Sequence, residues 1–95
     1  MTKTINIDAM AAFLNESGFE VAIESHESDL DKYVFGDEIS AEIETERGTM
    51  GVYAGNYHGM SFMQITKPNG TYKDYTEITN AQARRYVLQT MQYYI

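Results

Sequence analysis

Apolar residues recur at helical spacing in a segment near each end of the chain. The first predicted helix runs from Ile7 to Ser17, with Asn6 as a suitable N-cap. Gly18 follows as a residue that can adopt the left-handed conformation of a helix end, and Phe19 stands where a Schellman motif places its apolar contact, against Leu14. The apolar positions of this helix predict a buried stripe, formed by Ile7, Met10, Phe13 and Leu14.

The second predicted helix lies at the other end of the chain. Thr79 and Gln82 have the spacing of a capping box, and Ile78 is placed for a hydrophobic staple against Ala83. The apolar residues that recur at helical spacing are Ala83, Tyr86, Val87, Met91, Tyr94 and Ile95. We therefore expect this helix to run nearly to the last residue.

Between the helices the pattern changes to a period of two, which indicates half-buried strands. The predicted strands are 19–24, a short 32–35, 39–46, 50–55, 60–66 and a short edge strand over 71–75. Ser25 to Asp31 is predicted as a loop, and so is Gly55 to Gly59. The predicted turns are Gly36-Asp37, Arg47-Gly48 and Lys67-Pro68-Asn69-Gly70.

This order of elements predicts a single domain over residues 1–95 with an α+β fold. One helix is followed by about five or six antiparallel strands and then by a second helix, because the short connections favour hairpins. Both helices are expected to cover one face of the sheet. The other face is then open to water, a ligand or a second copy.

Composition narrows the classes of function. The chain of 95 residues has no cysteine, which excludes disulfides, thiol catalysis and cysteine-based zinc sites. It has no apolar run long enough to span a membrane, and residues 1–6 lack the pattern of a signal peptide. We therefore expect a cytoplasmic protein that needs no cofactor and contacts no membrane.

Charge is distributed very unevenly along the chain. Residues 16–46 hold eleven carboxylates against the single cation Lys32, a balance of −10, whereas residues 47–95 hold five cations against two carboxylates. The net charge of −7 is ordinary for a soluble domain, so its placement carries more information than its size.

No familiar catalytic or metal-binding constellation accompanies this charge. His26 and His58 lack the partners of a triad or a zinc site, and both are read as ordinary loop residues. Asp29 and Asp31 begin a calcium-loop spacing, but aromatic residues follow at later ligand positions, which leaves only a loose surface calcium site as an alternative. The protein is accordingly predicted not to be an enzyme, with a hydrolase using His58 or His26 as the minor alternative.

Two further patterns have structural explanations. The scattered glycines do not form a phosphate-binding loop before a helix and are read as turn and bulge residues. Arg84 and Arg85, with nearby lysines and tyrosines, are too few to outweigh an acidic domain, so direct nucleic-acid binding is not predicted.

The carboxylates themselves are the candidate site. Alternate residues of a strand share a face and lie roughly 6.7 Å apart, so the acidic positions form rows of negative charge. The predicted partner-binding residues are Glu20, Glu24, Glu27, Asp29, Asp31, Glu38, Glu42, Glu44 and Glu46. Such density is repulsive, and a cationic partner surface would offset it. The alternative is that these residues are simply the solvated face of the sheet.

Rows of this kind resemble small acidic, phage-encoded DNA-mimic and anti-restriction proteins of the Arn-like type. The likeness is carried by the carboxylates just named, which are spread over about a third of the chain, and by overall size and acidity. The resemblance implies a non-enzymatic inhibitor in the host cytoplasm that blocks a defence or regulatory protein by occupying its basic, nucleic-acid-binding surface.

A second resemblance is one of architecture. The order of elements is similar to the type III secretion chaperone-like class, small acidic dimers with helices packed on an antiparallel sheet, although their usual central helix is absent here. It implies a binding module or homodimer that holds a peptide or protein through apolar surface. The contacts would be Tyr53, Tyr57, Phe62, Tyr93 and Tyr94.

Overall fold

The computed structural model of the protein describes residues 4–26, 36–57 and 59–95. Its elements are α1 (Ile7–Glu16), β1 (Glu20–His26), β2 (Gly36–Thr45), β3 (Gly48–Tyr57), β4 (Met60–Thr66), β5 (Tyr72–Thr76) and α2 (Asn80–Tyr94). The five strands form one sheet in the order β1-β2-β3-β4-β5, and every neighbouring pair is antiparallel. The predicted α+β fold, with a helix before and a helix after an antiparallel sheet, is confirmed.

The first helix begins and ends as its sequence indicates. The Asn6 side chain accepts a hydrogen bond from the backbone N–H of Ala9 at 2.9 Å. At the other end Gly18 adopts a φ of +101°, and the N–H of Phe19 donates to the carbonyl of Leu14 at 3.0 Å. This is the Schellman arrangement, which satisfies a helix carbonyl that has no partner within the helix.

The second helix starts with the predicted capping box. The N–H of Gln82 donates to Oγ1 of Thr79 at 3.2 Å, and the N–H of Thr79 donates to Oε1 of Gln82 at 2.9 Å. The starts of the two helices are also joined, because the N–H of Asn6 donates to Oδ1 of Asn80 at 2.8 Å. These contacts help to hold both helices on the same side of the sheet.

The hydrophobic core lies between the helices and the inner face of the sheet. Inward-pointing residues of the three central strands are buried together with one stripe of each helix. The core residues of these strands are Ile39, Ala41, Met50, Val52, Ala54, Met63 and Ile65, and those of the helices are Met10, Leu14, Ala83 and Val87. Within the predicted stripe of α1, Ile7 and Phe13 are only partly buried.

The end of β1 and the start of β2 differ from the sequence-based expectation. Ser25 and His26 continue β1 rather than opening a loop, because β1 pairs with β2 as far as His26 opposite Gly36. Gly36 and Asp37 are therefore the first residues of β2 and not a turn. Ladder hydrogen bonds across the strand pair override the local turn preference of the Gly-Asp sequence. The short strand predicted over 32–35 lies outside the described residues.

The hairpin ends are also shifted. Glu46 and Arg47 form the turn after β2, and Gly48 already belongs to β3 with a φ of +130°. Glu46 is thus not a strand residue, contrary to the expectation. Gly55 to Tyr57 belong to β3 and not to the predicted loop, because they pair with β4; His58 lies outside the described residues.

A buried serine joins β4 to the segment that precedes α2. Ser61 is fully buried, and its Oγ donates to the carbonyl of Ile78 at 2.6 Å and accepts from the N–H of Ile78 at 2.7 Å. Replacing Ser61 with alanine leaves two buried backbone groups without this partner, so we expect unfolding free energy to fall by about 1–3 kcal/mol.

Urea denaturation followed by circular dichroism measures this loss. Ser40→Ala is the matched control, since Ser40 is exposed on the opposite face of the sheet and its loss should change stability by less than about 0.5 kcal/mol. Equal midpoints for the two variants would contradict the structural role given to Ser61.

Candidate functional site

The outer face of the sheet is the face that neither helix covers. Its strand positions alternate with the buried core positions and follow from the observed register. They are Glu20, Ala22 and Glu24 of β1, Glu38, Ser40, Glu42 and Glu44 of β2, Thr49, Gly51, Tyr53, Gly55 and Tyr57 of β3, Met60, Phe62, Gln64 and Thr66 of β4, and Tyr72, Asp74 and Thr76 of β5. None of these described positions carries a lysine or an arginine.

Carboxylates face one another across the first two strands. Glu20 lies directly opposite Glu42, and Glu24 lies directly opposite Glu38. Residues opposed in this way have Cβ atoms about 4.5–5.5 Å apart. Glu44 follows Glu42 on the same face of β2. These five residues, Glu20, Glu24, Glu38, Glu42 and Glu44, are called the acidic patch below.

The other predicted site residues do not join this patch on the sheet. Glu46 lies in the turn after β2, so its carboxylate is not held in the strand rows. Glu27, Asp29 and Asp31 lie outside the described residues. The sheet therefore brings together five of the nine predicted residues.

A shallow depression lies among three of these carboxylates. It has a volume of about 350 Å³ and is lined by Gly18, Glu20, Glu42, Ile43 and Glu44. Oγ1 of Thr49 donates to Oε1 of Glu44 at 2.6 Å, which orients that carboxylate without neutralising it. The depression is thus negatively charged and accessible from solvent.

Glu38 differs from the rest of the acidic patch because it is almost completely buried, at 7% exposure. The hydroxyl of Tyr53 donates a hydrogen bond to Oε2 of Glu38. The ring of Phe62 lies beside Tyr53, with ring centroids 5.4 Å apart and planes tilted by 50°. The alternation along the sequence placed Glu38 on the correct face, but it did not predict the hydrogen bond from Tyr53 of the neighbouring strand.

This environment changes the acidity of Tyr53. Partial burial, the hydrogen bond to Glu38 and the negative charges of Glu38 and Glu24 raise the pKa of the phenol from 10 to about 12. Below pH 10 the phenol is neutral in the folded and unfolded chains alike. Between pH 10 and 12 only the unfolded chain ionises, so this contribution to stability is lost as pH rises through that window.

A difference titration can isolate Tyr53 among the eight tyrosines of the chain. The near-ultraviolet absorbance of phenolate, measured against Tyr53→Phe, is expected to show one group titrating near pH 12. Glu38→Gln removes both the charge and the strong acceptor, so the midpoint should move back toward 10. A difference titration centred at 10 in the unmodified protein would refute the Glu38–Tyr53 contact.

Aromatic side chains occupy the outer face beside the acidic patch. Tyr53 and Tyr57 are each 40% exposed, and Phe62 lies between β3 and β5 on the same face. Tyr93 and Tyr94, by contrast, are on α2, where they line a separate depression with Lys67. The tyrosine-rich contact set expected from the sequence is therefore divided between two surfaces. Tyr53, Tyr57 and Phe62 are called the aromatic patch.

Some of the basic and aromatic residues near the C-terminus have partners within the fold. Tyr75 stacks on Tyr86 with ring centroids 4.3 Å apart, and Nζ of Lys73 lies 5.5 Å from the centroid of Tyr75. The stack of Tyr75 on Tyr86 ties β5 to α2. Within residues 4–26, 36–57 and 59–95, no group of three or more histidine, aspartate or glutamate side chains is arranged to hold a metal ion.

Two carboxylates that face each other across a strand pair lower the stability of the sheet, and a single substitution can measure this effect. Glu20→Lys turns the repulsive pair with Glu42 into an attractive one, and we expect unfolding free energy to rise by about 0.5 kcal/mol. Added salt should reduce the gain, because exposed charges are screened.

The matched control is Glu46→Lys, which makes the same change of charge in the turn, outside the paired strands. Urea midpoints at low and high salt compare the two variants. If Glu20→Lys were no more stable than Glu46→Lys at low salt, the facing of Glu20 and Glu42 would not be energetically significant.

Comparison with known proteins adds no assignment to this geometry: no protein-family model, curated protein or solved structure matches the chain. Neither helix of the described structure is long and apolar enough to cross a membrane.

Proposed function

We propose that the protein is a non-enzymatic, phage-type inhibitor that docks its acidic patch on the nucleic-acid-binding surface of a host defence or regulatory protein. It would act in the bacterial cytoplasm, in the manner of acidic proteins that imitate DNA. The observation that carries the proposal is the register of β1 and β2, which sets Glu20 against Glu42 and Glu24 against Glu38.

The spacing of the acidic patch suits such a partner. Neighbouring strands lie about 4.8 Å apart, and Glu42 and Glu44 repeat at roughly 6.7 Å along β2. The exposed carboxylates of the acidic patch, Glu20, Glu24, Glu42 and Glu44, therefore form two rows of negative charge on a rigid support. A protein surface that binds duplex DNA is itself arranged to neutralise closely spaced phosphates. Attraction between two such surfaces speeds association and weakens as salt is added.

The cost of the arrangement supports the same conclusion. Like charges placed directly opposite one another, as Glu20 and Glu42 are, destabilise a sheet, and none of the described outer-face positions carries a lysine or an arginine. A cationic partner would relieve this repulsion on binding. The relief of this repulsion then makes the free energy of complex formation more favourable.

Capture from a bacterial lysate tests the proposal. The immobilised protein and its Glu20→Lys/Glu42→Lys/Glu44→Lys variant are exposed to the same lysate and eluted first with duplex DNA and then with salt. We expect a nucleic-acid-binding protein that is retained only by the unmodified chain and released by DNA. Retention of the same proteins by both columns, or a partner indifferent to DNA and salt, would overturn the proposal.

The aromatic patch supports a second candidate, a binding module that holds a peptide or a second copy of the chain. Tyr53 and Tyr57 expose 40% of their surface on the open face of the sheet. Binding through this patch should be nearly independent of salt. Sedimentation that shows a dimer at low and high salt alike, reduced to a monomer by Tyr57→Ala, would favour this candidate over the first.

A further inference from the structure

Tyr53 lies between Gly51 and Gly55 on the outer face of β3. The two glycines differ in how much free space lies beside them. A Cβ atom added at Gly55 would lie 3.0 Å from Cζ of Phe62 and 3.3 Å from Cγ of Glu38, so this side is closed by packed side chains. A Cβ added at Gly51 would meet only ordinary contacts, at 3.7 Å or more. The surface on the Gly51 side of Tyr53 is therefore open.

The open side forms a depression of about 150 Å³. Gly51 and Tyr53 line it, together with the hydroxyl-bearing residues Ser40 and Thr66 and the acidic residue Glu42. It therefore combines an aromatic residue, neutral hydrogen-bonding groups and one carboxylate of the acidic patch. The hydrogen bond to Glu38 and the ring of Phe62 hold Tyr53 in place from the other side.

We propose that this depression over Gly51 receives an arginine side chain of the protein partner. The assignment rests on the proposed function, since it takes the partner surface to be basic, and it specifies which cation the site prefers. The occupant is chosen by charge complementarity: Glu42 supplies the negative charge, and Tyr53 supplies an aromatic surface beside it.

Arginine fits these groups better than lysine does. Its guanidinium is planar, stacks on aromatic rings and can donate two parallel hydrogen bonds to one carboxylate. It is also less strongly hydrated than an ammonium group, so less is lost when it enters a partly enclosed site. The hydroxyl oxygens of Ser40 and Thr66 can accept hydrogen bonds from the remaining N–H groups of the guanidinium.

Oligo-arginine and oligo-lysine peptides of equal length and capped ends serve as probes. Isothermal titration calorimetry of the unmodified protein is expected to show binding of both that weakens with salt, with oligo-arginine about five- to tenfold tighter. Equal affinities would overturn the arginine assignment and leave the proposed function standing. Failure of both peptides to bind would contradict the proposed function as well.

Gly51→Val fills the depression while leaving every carboxylate in place. The backbone at Gly51 tolerates a side chain, and valine favours strands, so the fold should be kept. We expect the preference for arginine to disappear and oligo-lysine binding to be unchanged. The control Thr76→Val places valine on the outer face of β5 and should retain the preference. A folded Gly51→Val protein that still prefers arginine would place the discrimination elsewhere and overturn the proposal.

Discussion

Reversal of three charges in the acidic patch is expected to abolish binding to the captured partner. In the variant Glu20→Lys/Glu42→Lys/Glu44→Lys, all three changed residues line the same depression. Each contact then changes from attraction to repulsion against a basic surface, so we expect the Kd to rise by at least about 100-fold. Titration calorimetry with the purified partner measures this change, and circular dichroism establishes that the variant is folded.

The control for this variant changes the same net charge elsewhere. Asp8, Glu16 and Glu77 are exposed and lie outside the outer face of the sheet, so lysine at all three positions raises the net charge equally. This control should bind with a Kd within a few-fold of the original, the residual effect being long-range electrostatics. Similar losses in both variants would show that net charge, rather than the acidic patch, determines binding.

The largest expected loss of stability follows from shortening Leu14. This residue is fully buried where α1 packs on the sheet, and its carbonyl accepts the bond from Phe19 that ends the helix. Leu14→Ala removes apolar contacts and leaves a cavity, which costs about 2–5 kcal/mol at such sites. The free energy of unfolding in urea measures the effect.

Leu88→Ala is the matched control, since the same change is made on a helix at a residue that is 50% exposed. Alanine also favours the helix slightly, so we expect a change within about 0.5 kcal/mol. Comparable losses for the two leucines would mean that the core is not centred on the helix–sheet interface.

The helices could be predicted from the sequence because their signals are local. The Asn6 cap, the Gly18 stop and the box of Thr79 and Gln82 each involve residues within a few positions of one another, and all were confirmed. The alternation of apolar and polar residues likewise identified the inner and outer positions of β2 and β3 correctly. These features depend on backbone geometry that the chain sets over short distances.

The paired carboxylates could not be predicted in the same way. The alternation of apolar and polar residues shows that Glu20 and Glu42 each lie on an outer face. Only the register between the strands places them opposite one another. Glu38 is buried and accepts a hydrogen bond from Tyr53, which is fifteen residues away in the sequence. Glu46 continues the alternation of Glu42 and Glu44, so it was expected to lie on the same face. It lies in the turn instead, because the turn begins one residue earlier than the predicted Arg47-Gly48 pair.

The most direct test is competition for the nucleic-acid site of the captured partner. Labelled duplex DNA is bound to that partner, and fluorescence anisotropy follows its release as the protein is added. We expect complete displacement at concentrations set by the Kd of the protein, and none by the variant with Glu20, Glu42 and Glu44 reversed. A stable complex that contains the partner, DNA and this protein together would contradict the account, because the acidic patch would then bind outside the nucleic-acid site.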